Sequence, residues 1–296
     1  MTKPCRGPNA PTAPSFALPR GACDTHLHVL GPYDRYPLSP DRNYTAPEAP
    51  LAKLRDYMAV TGLDRVVIAH VSAHGADMRV TLDAMAALGD RARGTAMLTS
   101  DATAADIARL DRAGMRGIRM SVQFGYPVDR DALRRVNDLA APHNWHIAIW
   151  PSGPGELELL MALQGGGITV PVVLDHLANH CWSPASGLDQ PGFRLLQEAL
   201  RTGGIWLKLS GLYRASAEGW PWRGLAPFGR ALVQEFSSRL LWASDWPHVG
   251  HWPGAMVNSG ELLDWLIEIG CDAATRERIL SRNPAALYGF PPLAAA

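Results

Sequence analysis

The sequence lacks several features that mark common functional classes. Acidic and basic residues balance at 28 each, and no run of Lys or Arg gives the basic patch typical of nucleic-acid binding. The glycine-rich loops of NTPases and dinucleotide-binding enzymes are missing, as is the G-x-S-x-G turn of serine hydrolases. These absences argue against a nucleic-acid partner and against those three enzyme classes, and they leave a small molecule as the expected partner.

Paired cysteines and long apolar runs are also missing. The four cysteines are far apart and form no C-x-x-C pair, which argues against a disulfide framework or a zinc ribbon. Residues 1–20 contain prolines but no apolar signal core, and no later segment approaches the roughly 18 apolar residues of a membrane span. We therefore expect a cytoplasmic protein with no membrane partner and with an irregular, Pro-rich N-terminal arm over residues 1–20.

What the sequence does have is an alternation of two hydrophobic periods. Eight apolar, β-branched runs of strand length occur at 21–29, 65–72, 92–99, 116–122, 145–151, 169–176, 204–211 and 239–246. Between them, segments such as 78–88, 103–113, 129–140 and 193–202 have apolar residues three and four apart, as in amphipathic helices. This alternation predicts an α/β protein, a (β/α)8 TIM barrel forming a single domain over residues 21–296. The longest loop, 30–52, follows the first strand.

Ionisable side chains collect at the carboxyl ends of these predicted strands. The first strand ends in "CDTHLH", the sixth in "LDH" and the eighth in "SDWPH". In a (β/α)8 barrel the active site lies at the carboxyl ends of the strands. The distribution therefore predicts an active site at this end of the barrel.

His26 and His28 are the most informative pair. Residues two apart in a strand point to the same face, so both imidazoles can converge on one ion or oxygen. With His176 and Asp245 they make a candidate metal site of nitrogen and oxygen ligands that suits zinc or manganese. The alternatives are two hydrogen-bonded structural histidines, a helix-capping Asp245, and Asp175 as the functional residue of "LDH". The cofactor prediction is accordingly either none or one divalent metal, with zinc favoured.

At these motifs the sequence resembles a known family. "DTHLH", "LDH" and "SDWPH", together with "KLSGLYR" and "NPAALYGF", resemble the amidohydrolase superfamily and its lactonase-like branch related to 2-pyrone-4,6-dicarboxylate lactonase. The resemblance extends from Gly21 to Phe290. It implies a distorted (β/α)8 barrel and hydrolysis of a lactone ring, and it leaves the requirement for a metal open.

Lactone hydrolysis suggests a role for each of these residues. The reaction needs a base for water, a positive or proton-donating group at the carbonyl oxygen, and an acid for the leaving oxygen. We assign the base to Asp245, assisted by His176, and the same carboxyl returns the proton. His26 and His28 polarise the carbonyl, directly or through a metal.

Substrate-binding residues are suggested by the same resemblance. Arg119 and Arg214 match positions that grip substrate carboxylates, and Tyr44 and Ser72 match further contacts. Where the dicarboxylate lactonase carries a second arginine after the first, this chain has Gly125, so we expect a substrate with one anionic group or a different ring.

The mouth of the barrel is predicted to carry further contacts. His248 follows Asp245 in the loop that borders the site. Four tryptophans are candidates for a wall against a flat ring or for loop packing, and Trp150 is the one we assign to the substrate; the others are Trp182, Trp246 and Trp252.

Four functions remain in competition. A hydrolase that opens a small, anionic lactone as a monomer or homodimer in a catabolic pathway is the first. A zinc-dependent decarboxylase and a lactone isomerase of the same superfamily are the enzyme alternatives. A ligand-binding barrel without catalysis is the fourth, and the presence of His26, His28, His176 and Asp245 argues against it.

Overall fold

A computed structural model describes residues 2–120, 127–251 and 256–292. Its centre is a sheet of eight parallel strands in which each strand pairs with its sequence neighbour. The strands are β1 Cys23–Leu27, β2 Arg65–Ala69, β3 Ala92–Ala96, β4 Met115–Met120, β5 His146–Ile149, β6 Val172–Leu174, β7 Ile205–Leu209 and β8 Leu240–Trp242. Seven of them lie within one predicted run and β4 begins one residue before its run, so the predicted α/β barrel is confirmed.

Helices surround this sheet. The α-helices of the described residues are α1 Leu51–Thr61, α2 Arg79–Leu88, α3 Ala104–Arg112, α4 Arg130–Ala140, α5 Pro154–Leu163, α6 Pro191–Arg201, α7 Leu212–Ala215, α8 Ala226–Phe236, α9 Ser259–Glu268, α10 Ala273–Glu277 and α11 Asn283–Tyr288. Local chemistry fixes several starts: Thr103 and Asp106 form a capping box at α3, and the Asp129 side chain caps α4. Every helix in these ranges is too short or too polar to span a bilayer.

The barrel is distorted where its first and last strands meet. In the described residues, β1 and β8 are not joined by a regular ladder; the chain closes the gap just beyond the strands. Asp245 N–H donates to the carbonyl of His26 (2.9 Å), and His28 N–H donates to the carbonyl of Trp246 (2.8 Å). Both bonds involve residues predicted for the active site, so the seam of the barrel and the candidate site coincide.

The buried carboxylate of Asp24 links the two sides of this seam through hydrogen bonds. It accepts hydrogen bonds from the Tyr57 hydroxyl (2.8 Å), from the Ser244 hydroxyl and from the Ser244 backbone N–H. Burial raises the pKa of Asp24 to about 6, although these donors lower it. The group therefore joins α1, β1 and the residues after β8 in one place.

The opposite end of the barrel is filled by apolar side chains. Toward the amino ends of the strands, Cys23, Val67, Val173, Trp206 and Leu241 pack against Tyr288 and Phe290 from the C-terminal segment. The guanidinium groups of Arg65 and Arg93 each lie 5.0 Å from the centre of the Phe290 ring. This end is thus closed by packing, and the polar end is left to form a cavity.

Candidate active site

The carboxylate of Asp245 lies at the centre of the polar end, and it is 1% exposed. Its Oδ2 accepts hydrogen bonds from the Tyr213 hydroxyl (2.6 Å) and from Nε and Nη2 of Arg214 (3.0 and 2.7 Å). Burial alone would raise the pKa of Asp245, but Arg214 and His176 outweigh burial and hold this pKa well below its usual range. Asp245 is therefore an ionised carboxylate at neutral pH, with one oxygen already occupied.

Three imidazoles surround this carboxylate. Oδ1 of Asp245 lies 3.4 Å from Nε2 of His28 and 3.8 Å from Nε2 of His26. Nε2 of His176 lies 4.0 Å from Oδ2. The structure thus brings together the four residues predicted to be catalytic. They come from three strand ends, and the first and last of the four, His26 and Asp245, are more than 200 residues apart in the sequence.

The other nitrogen of each imidazole faces away from Asp245. Nδ1 of His28 donates to the carbonyl of Ala69 (2.8 Å), and Nδ1 of His176 lies 3.1 Å from the Ser210 hydroxyl. Nδ1 of His26 contacts Asp175 at 3.3 Å. Burial lowers the pKa of His26 well below its usual value and that of His176 to about 4, so both imidazoles are neutral at pH 7.

These residues fit a divalent metal. Ligand atoms of His26, His176 and Asp245 all lie within 4.8 Å of one another, and Nε2 of His26 is buried with no hydrogen-bond partner among the described residues. Because the Ala69 carbonyl can only accept, Nδ1 of His28 carries a hydrogen, and Nε2, where it carries none, presents a lone pair to Asp245 Oδ1 at 3.4 Å. Two such acceptors face each other favourably only when a cation or a hydrogen lies between them, and imidazole nitrogen with carboxylate oxygen is a typical zinc donor set.

A buried ion pair behind His26 was not assigned a role from the sequence. Nζ of Lys208 lies 2.9 Å from Oδ1 of Asp175 and 3.2 Å from Nδ1 of His26, and both charged residues are at most 1% exposed. Burial raises the pKa of Asp175, but Lys208 and His26 outweigh it and hold the pKa well below its usual range. Asp175 therefore supports His26, which is the arrangement that fixes metal-binding or catalytic histidines.

Left-handed backbone occurs at two of the four predicted catalytic positions. His176 has φ 52° and Asp245 has φ 62°, a region that side chains other than glycine enter at a cost of order 1–3 kcal/mol. Gly211 of the "KLSG" segment also has positive φ, and a Cβ at this position would lie 2.8 Å from Cβ of His176. Glycine is therefore required there for the chain after β7 to approach His176.

A cavity of about 100 Å³ opens above these groups. Four of the predicted substrate contacts line it, and they are Tyr44, Arg119, Trp150 and Arg214. Arg119 Nε lies 3.7 Å from Asp175, and the guanidinium of Arg214 lies 5.3 Å from the centre of the Trp150 ring. Asn43, Val249 and Gly250 also line the cavity; nothing in their sequence context distinguishes them from ordinary loop residues.

Other predicted contacts lie outside the set of lining residues. Ser72 is 3.4 Å from the Tyr44 hydroxyl and stands behind it. His248 is buried against the ring of Tyr213, 5.5 Å between centres. Trp182 stacks on Phe228 and Trp246 stacks on Tyr57, so both indoles pack loops and helices.

Two positions used in the sequence argument, Gly125 and Trp252, lie outside the described residues.

Comparison with known proteins gives a consistent family. The amidohydrolase family model matches residues 23–290. A 4-sulfomuconolactone hydrolase of Rhizobium radiobacter is 36% identical over 97% of this chain and 96% of its own length. A 2-pyrone-4,6-dicarboxylate hydrolase of Comamonas testosteroni is 32% identical over 94% and 93%.

Two further relatives extend this picture. A D-galactarolactone isomerase of Agrobacterium fabrum is 32% identical over 96% of each chain. An apo crystal structure from Agrobacterium tumefaciens superposes with a TM-score of 0.80 at 30% identity, covering 95% of this chain and 98% of the other. The likeness therefore extends through sequence and fold over nearly the whole chain.

Proposed function

This chain belongs to the amidohydrolase family, and we propose that it hydrolyses the ring ester of a small, anionic lactone. The observation that carries the proposal is the ionised Asp245, with Oδ1 turned toward His26 and His28 and Oδ2 held by Tyr213 and Arg214. A carboxylate held in this way can accept a proton at one defined oxygen. The names of two relatives, both lactone hydrolases, support the same chemistry.

The proposed reaction follows from these positions. Oδ1 of Asp245 accepts a proton from a water molecule as the water oxygen bonds to the lactone carbonyl carbon. His26 can accept from Nζ of Lys208 at Nδ1 and donate from Nε2 to the carbonyl oxygen, where negative charge develops. His28, whose Nδ1 donates to Ala69, would act on this oxygen through a bound metal. The ring C–O bond then breaks, Asp245 returns its proton to the leaving oxygen, and the product is the hydroxy acid or its keto form. His176 assists Asp245 from the opposite side of the carboxylate.

A metal would be held by Nε2 of His26, His28 and His176 and by Asp245. When bound, it supplies Lewis-acid polarisation of the carbonyl. The chain's own contribution is to orient the imidazoles through Ala69, Ser210 and Asp175, so that their Nε2 atoms point at the same carboxylate.

The cavity suggests how the substrate is held. Arg119 and Tyr44 stand at its wall, and Trp150 offers an aromatic edge to a flat ring. Arg214 already donates through Nε and Nη2 to Asp245, so its first role in the proposal is to hold the catalytic carboxylate. This chain has Gly125 where the resemblance implies a second arginine, which supports a lactone with one anionic group, or a different ring, over the pyrone dicarboxylate.

The test is an activity panel with matched variants. Sugar, muconate and pyrone lactones are assayed with the purified protein before and after chelation, and the metal content is measured in parallel. Asp245→Asn is expected to lower kcat/KM by about 10²- to 10⁴-fold, while Asp189→Asn, at a fully exposed carboxylate, leaves it unchanged. Unchanged turnover in Asp245→Asn would contradict the assigned base. Binding without turnover by the parent chain would instead indicate a non-catalytic barrel.

Isomerisation is a second candidate because one relative is named D-galactarolactone isomerase. The two reactions differ in the acceptor of the acyl group, which is water in hydrolysis and a substrate hydroxyl in isomerisation. Turnover in ¹⁸O-labelled water therefore separates them: hydrolysis places the label in the product carboxylate, and isomerisation does not. Carboxylate loss without ring opening, dependent on stoichiometric zinc, would favour a decarboxylase.

Three further properties belong to the same proposal. All four cysteines are free and buried, which supports a reducing, cytoplasmic location. We propose one domain over residues 21–296 with an N-terminal arm over residues 1–20, and a monomer or homodimer acting on a small molecule in a catabolic pathway. Size-exclusion chromatography with light scattering determines the oligomeric state.

A further inference from the structure

The start of the N-terminal arm lies directly against one wall of the active-site cavity. Lys3–Pro4 pairs in parallel with Tyr44–Thr45, and Cys5 N–H donates to the carbonyl of Thr45 (2.7 Å). The hydroxyls of Thr2 and Thr45 lie 2.7 Å apart. Residues 2–5, which we call the N-terminal strap, are therefore bonded along the segment that carries the lining residue Tyr44.

Cys5 also contacts the opposite wall. Gly250 N–H donates to Sγ of Cys5 (3.2 Å), and Gly250 and Val249 line the cavity. Arg214 Nη2 donates to the carbonyl of Val249 (2.7 Å). A single buried residue, 8% exposed, thus joins the loop after β1 to the loop after β8, and through Val249 to the guanidinium that holds Asp245.

The rest of the arm is anchored well beyond the cavity. The Asn9 side chain donates to the carbonyl of Met256 (2.8 Å), and backbone N–H and hydroxyl of Ser15 donate to Asp264 (2.7 and 2.8 Å). The strap is therefore bonded to the cavity loops, and the residues that follow it are bonded to the region around α9. Loops at a barrel mouth open at low free energy unless other contacts restrain them, and here the restraint comes from the other end of the chain.

We propose that the N-terminal strap holds the two cavity loops at a fixed separation, and that Cys5 is the positioning residue that sets Tyr44 and Gly250 for substrate binding. Cys5 does not touch the substrate. Its amide fixes one loop and its sulfur fixes the other, so loss of the sulfur frees the Gly250 side while the Tyr44 side stays paired.

The kinetic test, which rests on the proposed lactonase function, uses four full-length variants. Cys5→Ala removes the acceptor for Gly250, and Cys5→Pro removes both the acceptor and the amide hydrogen. We expect KM to rise about threefold in the first and about tenfold in the second, with kcat changed less than twofold. Cys5→Ser retains an acceptor and restores most of the affinity. Ser15→Ala, which removes only the hydroxyl of an arm contact away from the cavity and keeps the backbone N–H bond to Asp264, leaves both constants unchanged.

A second measurement does not depend on activity. Hydrogen exchange of the Gly250 amide is expected to be at least about tenfold faster in Cys5→Ala than in the parent or in Ser15→Ala, because its hydrogen bond is lost. Unchanged exchange in Cys5→Ala and Cys5→Pro overturns the strap, as does a fall in kcat and Tm with constant KM. If the parent opens no lactone, the proposed function fails and exchange alone decides the strap.

Discussion

At Asp245 the two carboxylate oxygens have different neighbours. Tyr213 and Arg214 donate to Oδ2, whereas the imidazoles of His26 and His28 face Oδ1. Hydrogen bonds to an ionised acceptor are about twice as strong as neutral ones, so the clamp on Oδ2 fixes the direction of Oδ1. The direction of Oδ1, the oxygen proposed to accept the proton, therefore depends in part on Tyr213, a residue that was not predicted from the sequence.

Tyr213→Phe tests this clamp. The substitution removes the hydroxyl at 2.6 Å from Asp245 and keeps the ring, so the carboxylate retains Arg214 but gains rotational freedom. We expect kcat to fall about tenfold, the equivalent of about 1.4 kcal/mol, with KM changed little. The matched control is Tyr36→Phe, since Tyr36 donates to Asp83 outside the cavity. Equal kcat in both variants would show that Arg214 alone orients Asp245.

The ion pair of Lys208 and Asp175 shows why a residue's role is hard to assign from sequence. Lys208 stands in a strand and Asp175 follows another, 33 positions earlier, and only the barrel brings them to 2.9 Å. Period-two alternation indicates which face a strand residue occupies. It does not indicate which charges on neighbouring strands meet, and so the support behind His26 could not be read from the motifs.

At the level of elements, the strands and the polar end of the barrel were predictable. Continuous apolar runs are required where both faces of a strand are buried, and the ionisable residues after β1, β6 and β8 stand at equivalent ends. The packing of the N-terminal arm against the loops that line the cavity was not predictable. Its contacts with Thr45 and Gly250 join positions 40 and 245 residues away, and no local period records such contacts.

The tryptophans also show what could not be predicted from the sequence. Trp150, Trp182 and Trp246 all follow or border predicted strand ends, yet Trp150 alone among these three lines the cavity. Trp182 and Trp246 stack on aromatic rings of the scaffold. An indole buries a large apolar area in either setting, so its identity alone does not separate a packing residue from a substrate contact.

The C-terminal segment closes the barrel end opposite the active site, and Phe290→Ala tests its contribution. Phe290 is 7% exposed and contacts both Arg65 and Arg93. We expect the free energy of unfolding to fall by about 3–5 kcal/mol, as for other buried phenylalanines, in urea titrations. Ile267→Ala, at a side chain 42% exposed, should cost less than about 0.5 kcal/mol. A loss below about 1 kcal/mol at Phe290 would mean that the segment does not stabilise the barrel.

Over the whole molecule, buried titratable groups make stability depend on pH. Burial lowers the pKa of His70 and His176 to about 4 and that of His146 and His248 to about 3. Their unfolded value is about 6.5, so between pH 6.5 and 4 the unfolded chain binds more protons than the folded one. Each histidine then contributes stability that is complete above pH 6.5 and is lost as the pH falls.

Asp24 acts in the opposite direction. The pKa of Asp24 is about 6 in the folded protein and lies above the value in the unfolded chain. Its contribution to the free energy of unfolding is therefore complete below about pH 4 and is lost as the pH rises through 6. One carboxyl opposes four histidines in the same interval, and the shifts of the histidines are at least as large. The net effect is therefore a loss of stability on acidification.

We accordingly expect Tm to be nearly constant from pH 8 to 7 and to fall steeply from pH 6.5 to 4.5, measured by circular dichroism in buffers of equal ionic strength. His70→Gln tests the cause at a histidine away from Asp245, whose ring is held by Thr81 and the carbonyl of Gly75. The neutral amide of glutamine cannot bind a proton. The unfolded chain therefore takes up about one proton fewer in this interval, and the fall of Tm with pH should be less steep by that amount. His143→Gln, at a partly exposed histidine, is the control. A Tm that is flat down to pH 4.5 in the parent would mean that the interior histidines are not neutral in the folded protein.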